Sequence, residues 1–245
     1  MRAAATVVLI GLLFWVFDAG AILRRLGSID PSDAIVAVAV LCLQYLIGGL
    51  RWHYILLRHD LSSRLSRSFV IYGAASLANV VVPHTIAGMS VKGVMLKGQG
   101  VTTSRMFGVL LVERLAAGCG LAVCMLVSLA LSFPRWRAAF ASLDKPIAAA
   151  VLLASAALLA VGALVLWRSP GIRAFAKDIH ATFLKPSVLI MLVLFSTVII
   201  YLGFLCVVVL AEGMGVGVTM PEIFIAMPFV TFVAALPVSL GGWGV

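Results

Sequence analysis

The chain has 245 residues, of which 63% are hydrophobic and only 11% charged, and its mean hydropathy is +1.19. A soluble domain is about half apolar and a quarter charged, so this composition excludes a water-soluble globular domain and leaves lipid as the solvent. The formal charge is +9, yet the basic residues sit in short loops between apolar runs, which points to the positive-inside rule and not to nucleic acid.

A spanning helix needs about 20 apolar residues. In chain order, residues 3–23 make a first span, broken only by Asp18 near its far end. The Met1-Arg2 start imitates a signal peptide, but no small-residue cleavage site precedes a polar domain. Residues 34–57 make a second span behind Pro31, with Arg51-Trp52 in its last turns. Residues 106–133 make a third, with Glu113-Arg114 early in it. Residues 147–167 and 188–210 follow, after Pro146 and Pro186. The expectation is an all-α integral membrane protein, a polytopic bundle of about five full spans in a single domain covering residues 1–245.

Two further stretches are charge-poor but broken. Residues 68–91 carry Pro83 and Gly88, and residues 223–245 carry Pro228, Pro237, Gly241 and Gly242. Proline removes a backbone donor, and a broken helix at membrane depth is tolerated only where it faces protein or a wet cavity. Both are expected to be re-entrant or broken helical segments. Loop charge supports re-entry of the first. With a cytoplasmic N-terminus and residues 68–91 returning to the same side, the inside holds Arg2, Arg58, Arg64, Arg67, Lys92, Lys97, Arg105, Arg168, Arg173, Lys177 and Lys185. The outside then holds Arg24, Arg25, Arg135, Arg137 and Lys145. If 68–91 spans, the majority moves outside, against the rule. Pro83-x4-Gly88 and Pro237-x4-Gly242 also match each other. Paired interruptions entering from opposite faces are the mark of an inverted-repeat transporter.

Polar groups inside apolar runs are the candidate site. Arg51 either snorkels to the headgroups or grips a lipid phosphate, and Trp52 reads as an interfacial anchor. Glu113 and Arg114 lie about two turns into their span, where ionisable groups face the bundle interior and find partners. Arg51 is the natural partner for Glu113. Asn79, Pro83, His84, Thr85 and Gly88 mark the first broken tip, with Lys92 as an added phosphate contact. Pro237, Ser239, Gly241 and Gly242 mark the second. Each has a structural alternative: helix capping for Asn79, an interfacial position for His84, close helix packing for the glycines. Gly213-x-Gly215-x-Gly217 reads as a flexible outer loop, and following no strand it is no dinucleotide motif. Cys42, Cys119, Cys124 and Cys206 all lie in apolar runs with no metal or redox spacing, and no cofactor is expected.

Together these residues resemble the transmembrane region of lysylphosphatidylglycerol synthase, the flippase-like family. The likeness rests on Leu50-Arg51-Trp52 through Leu57, on Asn79 through Pro83 and Gly88 to Lys92, on Glu113-Arg114, and on Leu236-Pro237-Val238-Ser239-Leu240-Gly241-Gly242-Trp243-Gly244. The chain departs from the family pattern in three places. Met89 stands where an acid often follows the glycine, Lys92 stands for the usual Arg, and Ala117 stands where an Asp often follows Glu-Arg. The last motif usually runs on into a basic residue and a Glu, whereas this chain ends at Val245, so a C-terminally truncated member is expected. The resemblance implies a lipid translocase, or a lipid-binding transport domain, in the cell membrane, handling anionic, aminoacylated, polyprenyl or hopanoid-type lipids. It also implies that ester synthesis belongs to a separate soluble domain, so the chain itself is not expected to be an enzyme. Membrane lipids are the expected partners, with a homo-oligomer or a lipid-enzyme partner left open. The alternatives are a membrane-embedded transferase acting on a lipid-linked donor, or an accessory subunit of a lipid-modifying enzyme. The transferase would need clustered acids or metal ligands at the membrane surface, and Asp60, Glu113 and Asp178 form no cluster in sequence.

Overall fold

The computed structural model describes residues 29–61, 64–81, 85–142 and 185–235, together with Gly20 and Gly27. The described helices are α1 (Pro31–Arg58), α2 (Leu65–Val81), α3 (Thr85–Lys97), α4 (Thr103–Ser142), α5 (Pro186–Gly213) and α6 (Met220–Ala235). No strand occurs among the described residues, as an all-helical membrane protein requires.

Local chemistry sets the helix ends. Asp30 caps α1, accepting from the Ser32 backbone N–H at 2.9 Å and its hydroxyl at 2.7 Å. These bonds, the backbone one foremost, hold the exposed Asp30 carboxyl below its ordinary range. Pro31 follows at the first helical position, where its missing N–H costs nothing. Three helices end on the same hydrogen-bond pattern, in which a residue beyond the helix reaches back five positions: Leu61 to the Leu56 carbonyl, Val101 to Leu96, and Val216 to Ala211. Gly100 and Gly215 supply the left-handed residue for the last two, at φ +78° and +64°. Asp60 takes that place after α1 at φ +52°. The glycine-rich loop after α5 is therefore an ordered cap at Gly215. Thr219 and Glu222 then open α6 as a capping box, the Glu222 carboxylate accepting from both the backbone and hydroxyl of Thr219.

α1, the Thr103–Ser132 part of α4, and α5 are each long and apolar enough to cross a membrane, with mean hydropathies of 2.0, 2.2 and 2.8. α1, α4 and α5 contain the expected spans 34–57, 106–133 and 188–210, and α4 continues through Pro134 to Ser142. The expected spans 3–23, apart from Gly20, and 147–167 lie outside the described residues. So do Val82, Pro83 and His84 of the first broken tip and residues 236–245 of the second.

One expected break is absent. α6 runs on through Pro228. The Ser128 hydroxyl of α4 donates to the Ile225 carbonyl at 2.7 Å, beside the bond that the proline cannot make. A neighbouring helix thus bonds the carbonyl next to that of Phe224, which loses its helical donor to the proline, and α6 continues through it.

Residue pairs give the directions. Tyr45 lies by Gly73, Gly49 by Phe69 and His53 by Ser68, so α1 and α2 are antiparallel. Asn79 meets Gly88 while Tyr72 meets Lys92, so α2 and α3 form an antiparallel hairpin. Gly93 meets Met106 and Met89 meets Arg114, which turns α4 antiparallel to α3. Asp33 lies by Gly213 and Arg51 by Ser196, which sets α5 antiparallel to α1. The end of α1 and the starts of α2, α4 and α5 therefore share one end of the bundle. Arg105 ties two of them there, donating to the His59 carbonyl and standing 3.7 Å from Asp60.

The core has two parts. Near the shared end, Trp52, Ile55, Leu56, Ile71, Leu96, Val109, Val112 and Leu192 pack together. At the far end Phe204, Val208, Ala211 and Ile223 do so. There the Tyr201 and Phe224 rings stack at 5.4 Å. Outside, large apolar side chains face away from the bundle: Leu77 is 69% exposed and Val80 80%. Such surfaces are stable only against lipid.

Candidate functional site

Between α1, α2, α3 and α4 lies a polar hollow of about 150 Å³. Helical spacing builds it. Tyr72, Ala75, Ser76 and Asn79 form one face of α2 at i, i+3, i+4 and i+7. Gly88, Met89 and Lys92 come from α3, Glu113, Arg114 and Ala117 from α4, and Arg51 from α1.

Arg51 points into the bundle and is only 7% exposed. Its Nη1 donates to Ser196 Oγ on α5 at 2.9 Å, and its Nη2 stands 3.4 Å from Glu113 Oε1. The Ser196 hydroxyl spends its own proton on the Leu192 carbonyl at 2.7 Å, which leaves the oxygen to accept from Arg51. The Arg51 Nε–H is buried without a partner among the described residues. Snorkelling is thus not what Arg51 does here, because an acid and a hydroxyl inside the bundle hold it.

Lys92 donates to the same Glu113 oxygen as Arg51. Its Nζ lies 4.5 Å from the Trp52 ring centroid and 5.0 Å from that of Tyr72, so two aromatic faces share the cation. Counting Lys92 as a loop charge is corrected accordingly: it is buried among Glu113 and the two rings. The interfacial reading of Trp52 is corrected too, since it is fully buried as the platform beneath Lys92. Gly48 makes room for this arrangement, because a Cβ there would overlap the Tyr72 ring.

The floor of the hollow is buried and its rim is open. Arg51, Ala75, Gly88, Lys92 and Glu113 are buried, whereas Asn79 and Arg114 are exposed. At the rim the Gly88 N–H donates to Asn79 Oδ1 at 2.8 Å, stitching the hairpin near its tip. A Cβ on Gly88 would come within 2.8 Å of the Ala75 carbonyl, so glycine permits this approach. The Arg114 Nε lies 3.1 Å from Met89 Sδ. Three cations and one carboxylate face the space.

Of the residues singled out in the sequence, Arg51, Asn79, Gly88, Lys92, Glu113 and Arg114 come together here. Pro83 and His84, and likewise Pro237, Ser239, Gly241 and Gly242, lie outside the described residues. Sequence reasoning missed Tyr72, Ser76 and Ser196. For the first two a signal existed, since they fall two turns and one turn before Asn79 on its own helical face. Ser196 carried none, because a serine in an apolar span commonly bonds its own helix.

A family model described as the lysylphosphatidylglycerol synthase TM region matches residues 2–245. The chain belongs to that family. Neither the curated proteins nor the solved structures give a match. Membership makes this a membrane domain related to lipids, of the kind attached to a lipid-modifying synthase. Met89, Lys92 and Ala117, which the sequence reading singled out as differing from the resemblance, all line the hollow.

Proposed function

We propose that the hollow holds the polar head of a membrane lipid while the lipid passes between leaflets. The observation that carries this reading is the surplus of buried positive charge in an apolar bundle, Arg51 and Lys92 against Glu113. Uncompensated buried cations are costly, and a lipid phosphate supplies the missing anion. The partnerless Arg51 Nε–H offers it a charge-assisted hydrogen bond. The chain's own role is lipid binding and transport, with ester synthesis left to other domains of the family.

In this reading α2 and α3 are a re-entrant hairpin. At 1.5 Å per residue α2 is about 25 Å long and α3 about 20 Å, against roughly 42 Å for α1. A hydrocarbon layer is about 30 Å thick, so helix length supports a tip that stops inside it. The shared end of the bundle faces the cytoplasm, because Arg58, Arg64, Arg67, Lys97, Arg105 and Lys185 gather there. Asp30, Asp33, Glu212 and Glu222 lie toward the opposite end. Removing the buried Lys92 from the loop charges leaves ten inside and five outside, so the preference stands. The segment with Pro237, Ser239, Gly241 and Gly242 is read as the inverted counterpart entering from outside.

The test uses the full chain in liposomes that carry a fluorescent anionic lipid. Leaflet exchange faster than in empty liposomes, lost in a folded Arg51→Gln variant, is expected. Exchange equal to that of empty liposomes across a panel of anionic, aminoacylated and polyprenyl lipids would overturn the reading.

A further inference from the structure

Met89 and Ala117 both line the hollow, Met89 on α3, with its sulfur 3.1 Å from Arg114 Nε, and Ala117 one turn beyond Glu113 and Arg114 on α4. Neither carries charge. Glu113 is the one carboxylate among the described lining residues, and its Oε1 is already shared by Arg51 and Lys92. No described acid remains in the hollow to receive an ammonium group from a ligand. The sites where an ammonium would rest are also taken, since the Trp52 and Tyr72 faces and the Glu113 oxygen hold Lys92.

We infer that the hollow selects lipids whose headgroup is net anionic, a phosphodiester without an ammonium, over zwitterionic or aminoacylated ones, and that uncharged Met89 and Ala117 set this preference. The inference rests on the reading of the hollow as a headgroup site. The physical cause is a charge balance. A phosphodiester offsets one unit of the surplus in this space. A head that brings its own ammonium cancels the gain and places like charges together at low dielectric.

The experiment measures binding of two lipids with the same fluorescent tail, phosphatidylglycerol and phosphatidylethanolamine, to the purified full chain in maltoside micelles by anisotropy. The wild type is expected to prefer phosphatidylglycerol about tenfold, the size of one charge-assisted hydrogen bond. Met89→Glu with Ala117→Asp is expected to abolish or reverse that preference. The uncharged pair Met89→Gln with Ala117→Asn, which matches it in shape, should keep it, and Ala117→Asp alone should lie between. Equal affinity of the wild type for the two lipids, or a preference unmoved by the acidic pair, overturns the inference. In either case loss of both ligands in Arg51→Gln would leave the headgroup site standing. Binding of neither lipid by the wild type would overturn the inference and the site together. The wild-type ratio needs no variant to fold.

Discussion

Arg51 and Glu113, separated by 62 positions in the chain, face each other at 3.4 Å between α1 and α4. Lys92 reaches the same carboxylate oxygen from α3. One acid therefore ties three helices, and Ser196 ties a fourth through Arg51.

Glu113→Gln leaves two buried cations without their counter-ion. The expected loss is about 3 kcal/mol or more, read as a lower unfolding temperature in detergent and a smaller folded yield. Lys92→Met in the same chain should recover part of it. An unchanged unfolding temperature for Glu113→Gln would contradict the ion-pair network.

Ser196→Ala removes one hydrogen bond from Arg51 and should cost about 1 kcal/mol, clearly less than Glu113→Gln. At the same crossing a Cβ on Gly120 would lie 2.5 Å from Ser196 Cβ and 3.0 Å from its carbonyl carbon. Gly120→Ala must push α4 and α5 apart, at about 1–3 kcal/mol. Equal unfolding temperatures for Gly120→Ala and the wild type would show that the helices do not cross there.

Asn79→Ala deletes the side chain that holds the Gly88 N–H across the hairpin. A cost of about 1 kcal/mol is expected from the lost bond. Gly88→Ala should be worse, since its Cβ meets the Asn79 amide and the Ala75 carbonyl together. Unfolding temperatures in detergent, taken in a cysteine-free background, check both, and equal values for Gly88→Ala and the wild type would dissolve the hairpin.

Topology has its own check. In the same background, single cysteines at positions 64 and 99, just outside α2 and α3, should both react with an impermeant reagent from the cytoplasmic face. Labelling of position 99 from the other face would turn the hairpin into a crossing segment.

Much of this was legible in the sequence because lipid imposes simple rules. Hydropathy and length located α1, α4 and α5. Arg51 and Glu113 stood out because ionisable groups are rare in apolar runs. What escaped depended on which way a helix face turns after packing. Trp52 follows Arg51 near a helix end, where an anchoring role is equally natural, and only the placement of α3 puts Lys92 above its ring. Lys92 itself lies five residues before the end of a short helix, so in sequence it looks like a loop charge. Pro228 misled for a similar reason: the hydroxyl that bonds the backbone of its turn sits 100 residues earlier, at Ser128.

Because Arg51 is neutralised from α4 and hydrogen-bonded from α5, its partners do not exist when α1 leaves the ribosome. Synthesis must reach Glu113 before that guanidinium has a counter-ion. Until then α1 has reason to linger at the translocon or ride high in the bilayer, with the arginine near the phosphates. The arrival of α4 then settles it to its final depth, so in this protein insertion and tertiary assembly are one event.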